Sequence, residues 1–355
     1  MHFWQNLPKP IIGLSPMDGI TDEPFRQIVT KISKPDLIIT EFVHVQGLWC
    51  GKMPVFQDFL FDEIERPIVA QIFGNEPDYF YKAAHIVAEL GFDGIDLNMG
   101  CPANKIIKKG GGASLIKTPK LAQEIIKKTK QGVNDWYHGQ TLQDIGLASE
   151  KITYIEKFKK NKNKKLLPVS TKTRIGFEQN IIKEWIKYLL EAKPDAIIVH
   201  GRTLKQLYGG QADWEAIASV SHQVKQAQII YLGNGDVKNR QDGEKKCKDY
   251  QVDGVLIGRQ ALGNPWVFDK NPQKISPETK LETLLQHTKL QLKIRGEKNF
   301  IEMRKHFGWY CKDFDGAKQL RIKLLETKNL TELETILKNF LTKTVTMKIA
   351  NQTIF

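Results

Sequence analysis

The sequence predicts an α/β chain, a (β/α)8 TIM barrel followed by a small all-α helical bundle. Three observations lead there. With 355 residues, the chain is too long for one ordinary core of about 150 residues and calls for one large barrel or two domains. Its first two-thirds repeat one rhythm, a short run rich in Ile, Val and Leu, a glycine or polar break, then a longer amphipathic stretch, which is the grammar of βα units. After Phe268 that rhythm gives way to a purely helical pattern. Hydrophobic residues at 41%, charged residues at 26% and aromatics at 9% supply a sizeable core and exclude wholesale disorder or a disulfide scaffold.

Eight strands are expected in order: Ile11 to Met17, Leu37 to Phe42, Ile68 to Gly74, Gly94 to Gly100, Leu167 to Arg174, Ala196 to Arg202, Ile229 to Asp236 and Gly254 to Gln260. Several are near-continuous apolar runs, as parallel strands buried on both faces require. The span from Ile11 to about Phe268 approaches the roughly 250 residues of such a barrel; an open doubly wound sheet is the alternative. The expected domains are a barrel over 1–270 and a helical domain over 275–355, joined by the linker NPQKISPETK.

Between a helix over Leu121 to about Lys130 and the fifth strand lies an unusually long connection, about 133–166. It is expected to hold a short helix over Glu150 to Lys159 that ends in a Lys/Asn run. In the helical part, Ser276 before Pro277 and Glu278 reads as an N-cap. Leu281, Leu284, Leu285 and Leu292 follow as an apolar stripe. Thr331 and Glu334 read as a capping box ahead of Leu333, Ile336, Leu337, Phe340 and Leu341.

The net charge is +13, which suggests a polyanionic partner or a solvated lysine-rich surface. Residues 270–355 hold 17 basic against 9 acidic residues, so most of the excess sits in the helical quarter. A barrel carrying a basic helical appendage is suited to gripping an anionic polymer while the barrel does chemistry. Cys50, Cys101, Cys247 and Cys311 form no C-x-x-C pair, so neither a metal site nor a disulfide framework is expected. No apolar stretch approaches the roughly 18 residues of a membrane span, and the chain reads as cytoplasmic.

Barrel chemistry sits at the C-terminal ends of the strands. The polar residues that close them are Gln71, Asn98 with Cys101, Lys172 with Arg174, His200 with Arg202, Asn234 with Asp236, and Arg259. Their joint occurrence predicts one converging pocket. In Asp96-Leu-Asn-Met-Gly-Cys-Pro102, Pro102 stops the strand and Gly100 permits a turn that aims Cys101 inward. A cysteine so placed is a nucleophile, a general acid or a packing residue. The glycines of Lys109-Gly-Gly-Gly-Ala-Ser114 allow close backbone approach to a ligand or RNA, or simply turn the chain. Leu232-Gly-Asn-Gly-Asp236 and Ile257-Gly-Arg259 carry the phosphate-binding signature of the last two barrel loops. A cofactor with one phosphate, such as FMN, fits better than a dinucleotide, because no G-x-G-x-x-G follows the first strand. Lys172, His200 and Gln71 are then placed to line its ring.

Read together, Ser-Pro-Met-Asp-Gly-Ile-Thr-Asp (15–22), Asn-Met-Gly-Cys-Pro (98–102), Lys-Thr-Arg-Ile-Gly (172–176), His-Gly-Arg-Thr…Gln…Tyr-Gly-Gly (200–210), Asn-Gly-Asp (234–236), Gly-Arg (258–259) and Met-Arg-Lys-His-Phe-Gly-Trp-Tyr (303–310) resemble the tRNA-dihydrouridine synthases. The last motif resembles the bacterial B-type subgroup. The resemblance implies an FMN-dependent barrel with a tRNA-binding helical domain, and NADPH as reductant of the flavin. A hydride then passes to C6 of a D-loop uracil and Cys101 protonates C5. By motif match, Pro16, Met17, Asp18, Gln71, Lys172, His200, Asn234, Gly235, Asp236, Gly258 and Arg259 fall on flavin-contacting positions. Asn98, Arg174 and Arg202 fall near the uridine, which must be unstacked to reach a flavin sunk in a barrel.

Arg304 and Lys305 are expected to touch RNA. His306, Trp309 and Tyr310 either stack on it or, like Phe307, pack the core. The chain departs from the family's pattern at Asp18 and Ser114, where alanine is usual, and in the length of 133–166. A monomer acting on tRNA without metal or membrane is expected. Two other functions remain open: an FMN barrel that reduces a small dihydropyrimidine or enone, and a non-catalytic RNA-binding protein.

Overall fold

A computed structural model describes residues 2–160 and 164–352, the side chains of 343–352 excepted. Eight parallel strands close into one barrel in sequence order: β1 (Ile11–Leu14), β2 (Leu37–His44), β3 (Ile68–Phe73), β4 (Gly94–Met99), β5 (Val169–Gly176), β6 (Ala196–Thr203), β7 (Ile230–Asn234) and β8 (Gly254–Ile257). The sheet closes where Ile11 to Leu14 pair with Gly254 to Ile257. Every strand falls on an expected apolar run, and the closed order excludes the open doubly wound sheet.

The strand ends differ from the sequence expectation. β1 stops at Leu14 because Ser15-Pro16-Met17 turns: Met17 N–H donates to Thr21 Oγ1 at 2.9 Å and Ile20 N–H to Glu41 Oε1 at 2.9 Å. β5 and β6 run past their apolar stretches, and a register shift between Arg174 and Gly176 lets Gly176 pair with Thr203. Inside the barrel, Ile11, Leu37, Ile39, Val69, Ile198, Leu232 and Leu256 are buried around Trp4.

The helix expected over Leu121 to about Lys130 spans Pro119–Tyr137, so the long connection begins as helix. Gly132 lies within it rather than ending it. A Cβ there would stand 2.4 Å from the Tyr81 carbonyl oxygen, so glycine admits close packing against helix Pro77–Leu90. The connection's own helix spans Ser149–Phe158. Positions 161–163 of the Lys/Asn run lie outside the described residues. Gln140, beyond the longer helix, accepts from Tyr81 Oη and lies 3.0 Å from His85 Nε2.

Contacts divide the chain into two compact units. One comprises residues 1–22 and 35–258, and the other comprises Glu23–Lys34 together with residue 259 onward. In the second, helices Glu23–Ile32, Pro277–Arg295, Arg304–Tyr310, Ala317–Glu326 and Leu330–Gln352 pack around Leu281, Leu284, Phe300, Met303, Phe307, Leu324 and Leu333. Ser276 caps as expected, its Oγ accepting from Thr279 N–H at 3.1 Å. The last helix is capped two residues earlier than Thr331 and Glu334 suggested. Asn329 Oδ1 accepts from Glu332 N–H at 3.0 Å, and Glu332 Oε1 accepts from Asn329 Nδ2 at 3.1 Å. Both candidates have a glutamate three residues on, and asparagine is the better cap of the two.

Candidate active site

β4 delivers the cysteine loop. Asn98, at the end of the strand, accepts from Gly100 N–H at 3.1 Å and Cys101 N–H at 2.9 Å through Oδ1. This is a side-chain-to-backbone turn that fixes where the chain leaves the barrel. Cys101 is 9% exposed. Its carbonyl accepts from Ala113 N–H at 3.1 Å, so the glycine run folds back onto the cysteine loop. Gly112 has φ +58°, and a Cβ on it would stand 2.8 Å from that carbonyl oxygen. At that glycine the close approach is to the protein's own cysteine-loop backbone. Ser114 Oγ donates to Gly111 O at 2.6 Å.

Burial, above all, pushes the Cys101 thiol above its ordinary range, and Asp18 adds to the rise. The Ala103 backbone N–H, Arg174 and Lys172 pull the other way. The thiol therefore remains protonated at neutral pH, with two cations near enough to steady the thiolate left after proton loss.

Lys172 lies in the middle of β5, in register with Asn98 of β4 and Ile198 of β6. Burial first and Arg174 second bring its amine down to about 8, against the opposing pull of Asp96 and Cys101. Arg174 binds backbone: Nε donates to Gly100 O at 2.7 Å and Nη1 to Thr203 O at 3.0 Å. It thereby straps the cysteine loop to the end of β6. Arg202 is 1% exposed. It donates to Gly209 O at 3.2 Å, to Gly210 O at 2.6 Å and to Asp236 Oδ2 at 2.6 Å; Nη1 lies 3.5 Å from His200 Nε2. Asp236 also accepts from Ala212 N–H at 2.8 Å. Both guanidinium groups thus hold the loops of the barrel mouth in place.

The remaining residues expected from sequence occupy distinct settings. Pro16 and Met17 are half-buried in the turn after β1, and Asp18 is exposed there. Partial desolvation and Asp58 raise the Asp18 carboxyl above its usual range. Asn234 Nδ2 donates to Leu256 O at 2.9 Å and locks β7 to β8. Gly235 follows with φ +121°, and Gly258 ends the first unit. Arg259 is exposed and opens the turn Arg259–Ala261 in the second unit.

In that second unit Lys305 is exposed and Arg304 half-buried, donating through Nη2 to Thr327 O at 2.8 Å. His306, Phe307 and Tyr310 are buried. These three are core, and the His306 and Tyr310 rings are not offered for stacking on RNA.

Sequence reasoning missed Asp96 and Ser170. Asp96 is fully buried in β4, accepting from Ser170 Oγ at 2.6 Å and Gln71 Nε2 at 2.7 Å. Burial pushes its carboxyl up to about 6 against those two hydrogen bonds and the charge of Lys172. A carboxylate in mid-strand between Ile95 and Leu97 was the available signal, since a buried charge requires partners.

The described residues form no helix long and apolar enough to cross a membrane. The model of the dihydrouridine synthase family matches residues 13–139 and 149–348. Among curated proteins, a probable tRNA-dihydrouridine synthase of Staphylococcus aureus (strain COL) is 32% identical over 348 residues, covering 96% of this chain and 95% of that protein. A probable tRNA-dihydrouridine synthase 2 of Bacillus subtilis (strain 168) is also 32% identical, covering 96% of each chain.

Solved structures that are similar include morphinone reductase in complex with tetrahydroNAD, at 11% identity and TM-score 0.43 over 77% of this chain and 90% of that one. The old yellow enzyme homologue from Zymomonas mobilis is 13% identical at TM-score 0.41, over 76% of this chain and 91% of that one. On the family match and the curated relatives together, the chain belongs to the dihydrouridine synthase family.

Proposed function

We infer that this chain is a tRNA-dihydrouridine synthase, which reduces the C5–C6 double bond of a D-loop uridine in tRNA. The observation that carries the reading is Cys101, nearly buried just past the end of β4 in a loop strapped down by Arg174, in a chain whose family match spans the barrel and the helices beyond it. The family is FMN-dependent, with NAD(P)H as reductant.

The residues present fit FMN. Among the described residues no hydrogen bond or ion pair engages the Lys172 ammonium, and a half-buried cation without an acceptor favours an electron-rich ring edge. Lys172, Gln71 and His200 are the residues proposed to hold the ring. Pro16, Met17, Asp18, Asn234, Gly235, Asp236, Gly258 and Arg259 are proposed for the rest. When bound, reduced FMN supplies a hydride to C6 of the uracil.

The protein's own part is the proton. Cys101 delivers it to C5, and burial keeps the thiol loaded until the carbanionic carbon needs it. Lys172 and Arg174 offset the charge of the resulting thiolate. Asn98 and the two arginines shape the loops that receive the uridine. Lys305 and, to a lesser degree, Arg304 are proposed to meet the tRNA backbone, in a helical region whose excess charge suits a polyanion. The enzyme is proposed to act as a monomer in the cytoplasm, and NADPH is the reductant proposed for it.

A strain lacking the gene tests this reading. Mass analysis of its tRNA is expected to show a dihydrouridine missing, and unchanged dihydrouridine would refute it.

A further inference from the structure

Four hydrogen bonds run in line from the barrel floor to the cysteine loop. Ser170 Oγ donates to Asp96 Oδ1 at 2.6 Å, and Gln71 Nε2 donates to Asp96 Oδ2 at 2.7 Å. Asn98 Nδ2 donates to Gln71 Oε1 at 2.9 Å, and Cys101 N–H donates to Asn98 Oδ1 at 2.9 Å. Gln71 is further tied by its backbone N–H to Thr40 Oγ1 at 3.0 Å. Gln71 and Asp96 are fully buried, and Asn98 is nearly so.

The polarity of this line is forced. An amide has a donor end and an acceptor end and could face either way. Here one terminus is a carboxylate, which when ionised only accepts, and the other is a backbone N–H, which only donates. With those ends fixed, Gln71 must point Nε2 at Asp96, and Asn98 must point Oδ1 at Cys101. Each amide turned round would set donor against donor or acceptor against acceptor in a buried place, which costs more than losing one bond.

We propose that Asp96 is a positioning residue for the proton donor, acting through Gln71 and Asn98 to hold the Cys101 loop in its reactive placement. Asp96 itself is buried beneath the site. This rests on the reading of Cys101 as proton donor, whose own control is Cys101→Ala. If that variant keeps wild-type turnover, the donor reading fails and this proposal with it; if it is inactive, the Asp96 variants decide the proposal alone.

The test compares Asp96→Asn with Asp96→Leu in flavin-loaded enzyme. Asparagine can still accept from Gln71 Nε2 while its own amide faces Ser170 Oγ, so the line survives without the charge. Leucine leaves Gln71 without its acceptor. Because small displacements of a reacting group cost up to about a hundredfold in rate, the leucine variant is expected to lose about 10- to 100-fold in kcat for dihydrouridine formation. Its KM for tRNA should stay within about twofold, and the asparagine variant should stay within about threefold of wild type in kcat. Equal losses in both variants would place the effect in the charge and overturn the proposal, as would wild-type kcat in the leucine variant.

If the leucine variant does not fold, Gln71→Leu replaces it, read by iodoacetamide alkylation of Cys101 without tRNA in wild type and variant both stripped of flavin, so that a changed ring contact plays no part. A rate at least about threefold different from wild type supports the line of hydrogen bonds, and an unchanged rate overturns it.

Discussion

Lys172→Met should stabilise the flavin-free protein at neutral pH, because the structure holds that ammonium where its charge is disfavoured. The amine lies at about 8 rather than the ordinary 10.5, and a difference of that size corresponds to about 3 kcal/mol between charged and neutral forms. The side chain retains partial exposure and Asp96 would lose a helpful cation, so a net gain of about 1–2 kcal/mol is expected.

The sign follows from proton counting. Between about 8 and 10.5 the unfolded chain binds the proton more tightly than the folded one, so wild-type stability rises with pH across that window. The methionine variant lacks this contribution. Urea unfolding of both proteins, stripped of flavin, at about pH 7 and about pH 10 measures it: the variant should be the more stable at the lower pH, with the advantage shrinking at the higher. Parallel pH dependences, or a variant less stable at neutral pH, would refute the reasoning.

Asp236→Asn removes the ionic partner of the buried Arg202. The carboxylate side is 33% exposed and Arg202 keeps two carbonyl acceptors, so the loss is expected to be about 1–2 kcal/mol rather than the 3–5 of a fully buried pair. Thermal unfolding should show this as a fall of about 2–8 °C. Gly112→Ala places a methyl 2.8 Å from the Cys101 carbonyl oxygen at φ +58°; a destabilisation of about 1–3 kcal/mol and an altered rate of Cys101 alkylation are expected, read by the same unfolding assay and by mass spectrometry. Lys305→Glu should weaken tRNA binding and flatten its salt dependence by about one unit or more in slope, measured by titration at several ionic strengths, with little change in stability.

The barrel was legible because its strands are apolar on both faces, and runs such as Ile68 to Phe73 have no other way to be buried. Their ends were less so. β5 and β6 continue past the expected ends at Arg174 and Arg202 to Gly176 and Thr203, which pair because the neighbouring strand is already in place. The helix expected to end at about Lys130 runs on through Gly132, a contact surface, since nothing local distinguishes a glycine that ends a helix from one that lets a second helix approach.

The site divides similarly. Cys101 follows from its place just past a strand end and Lys172 from a cation set within a strand run, whereas the engagement of Arg174 and Arg202 with backbone carbonyls depends on loops far apart in sequence. His306 and Tyr310 belong to a motif that opens on Arg304 and Lys305, and only packing in the core of the helical unit decides that they face inward.

The most direct measurement incubates the purified, FMN-loaded chain with NADPH and an unmodified tRNA transcript, and locates by mass spectrometry any uridine that has gained two hydrogens. Dihydrouridine is expected in the D-loop with wild type and none with Cys101→Ala at equal flavin content. Dihydrouridine formed by the alanine variant at the wild-type rate, or none formed by wild type, would contradict this reading.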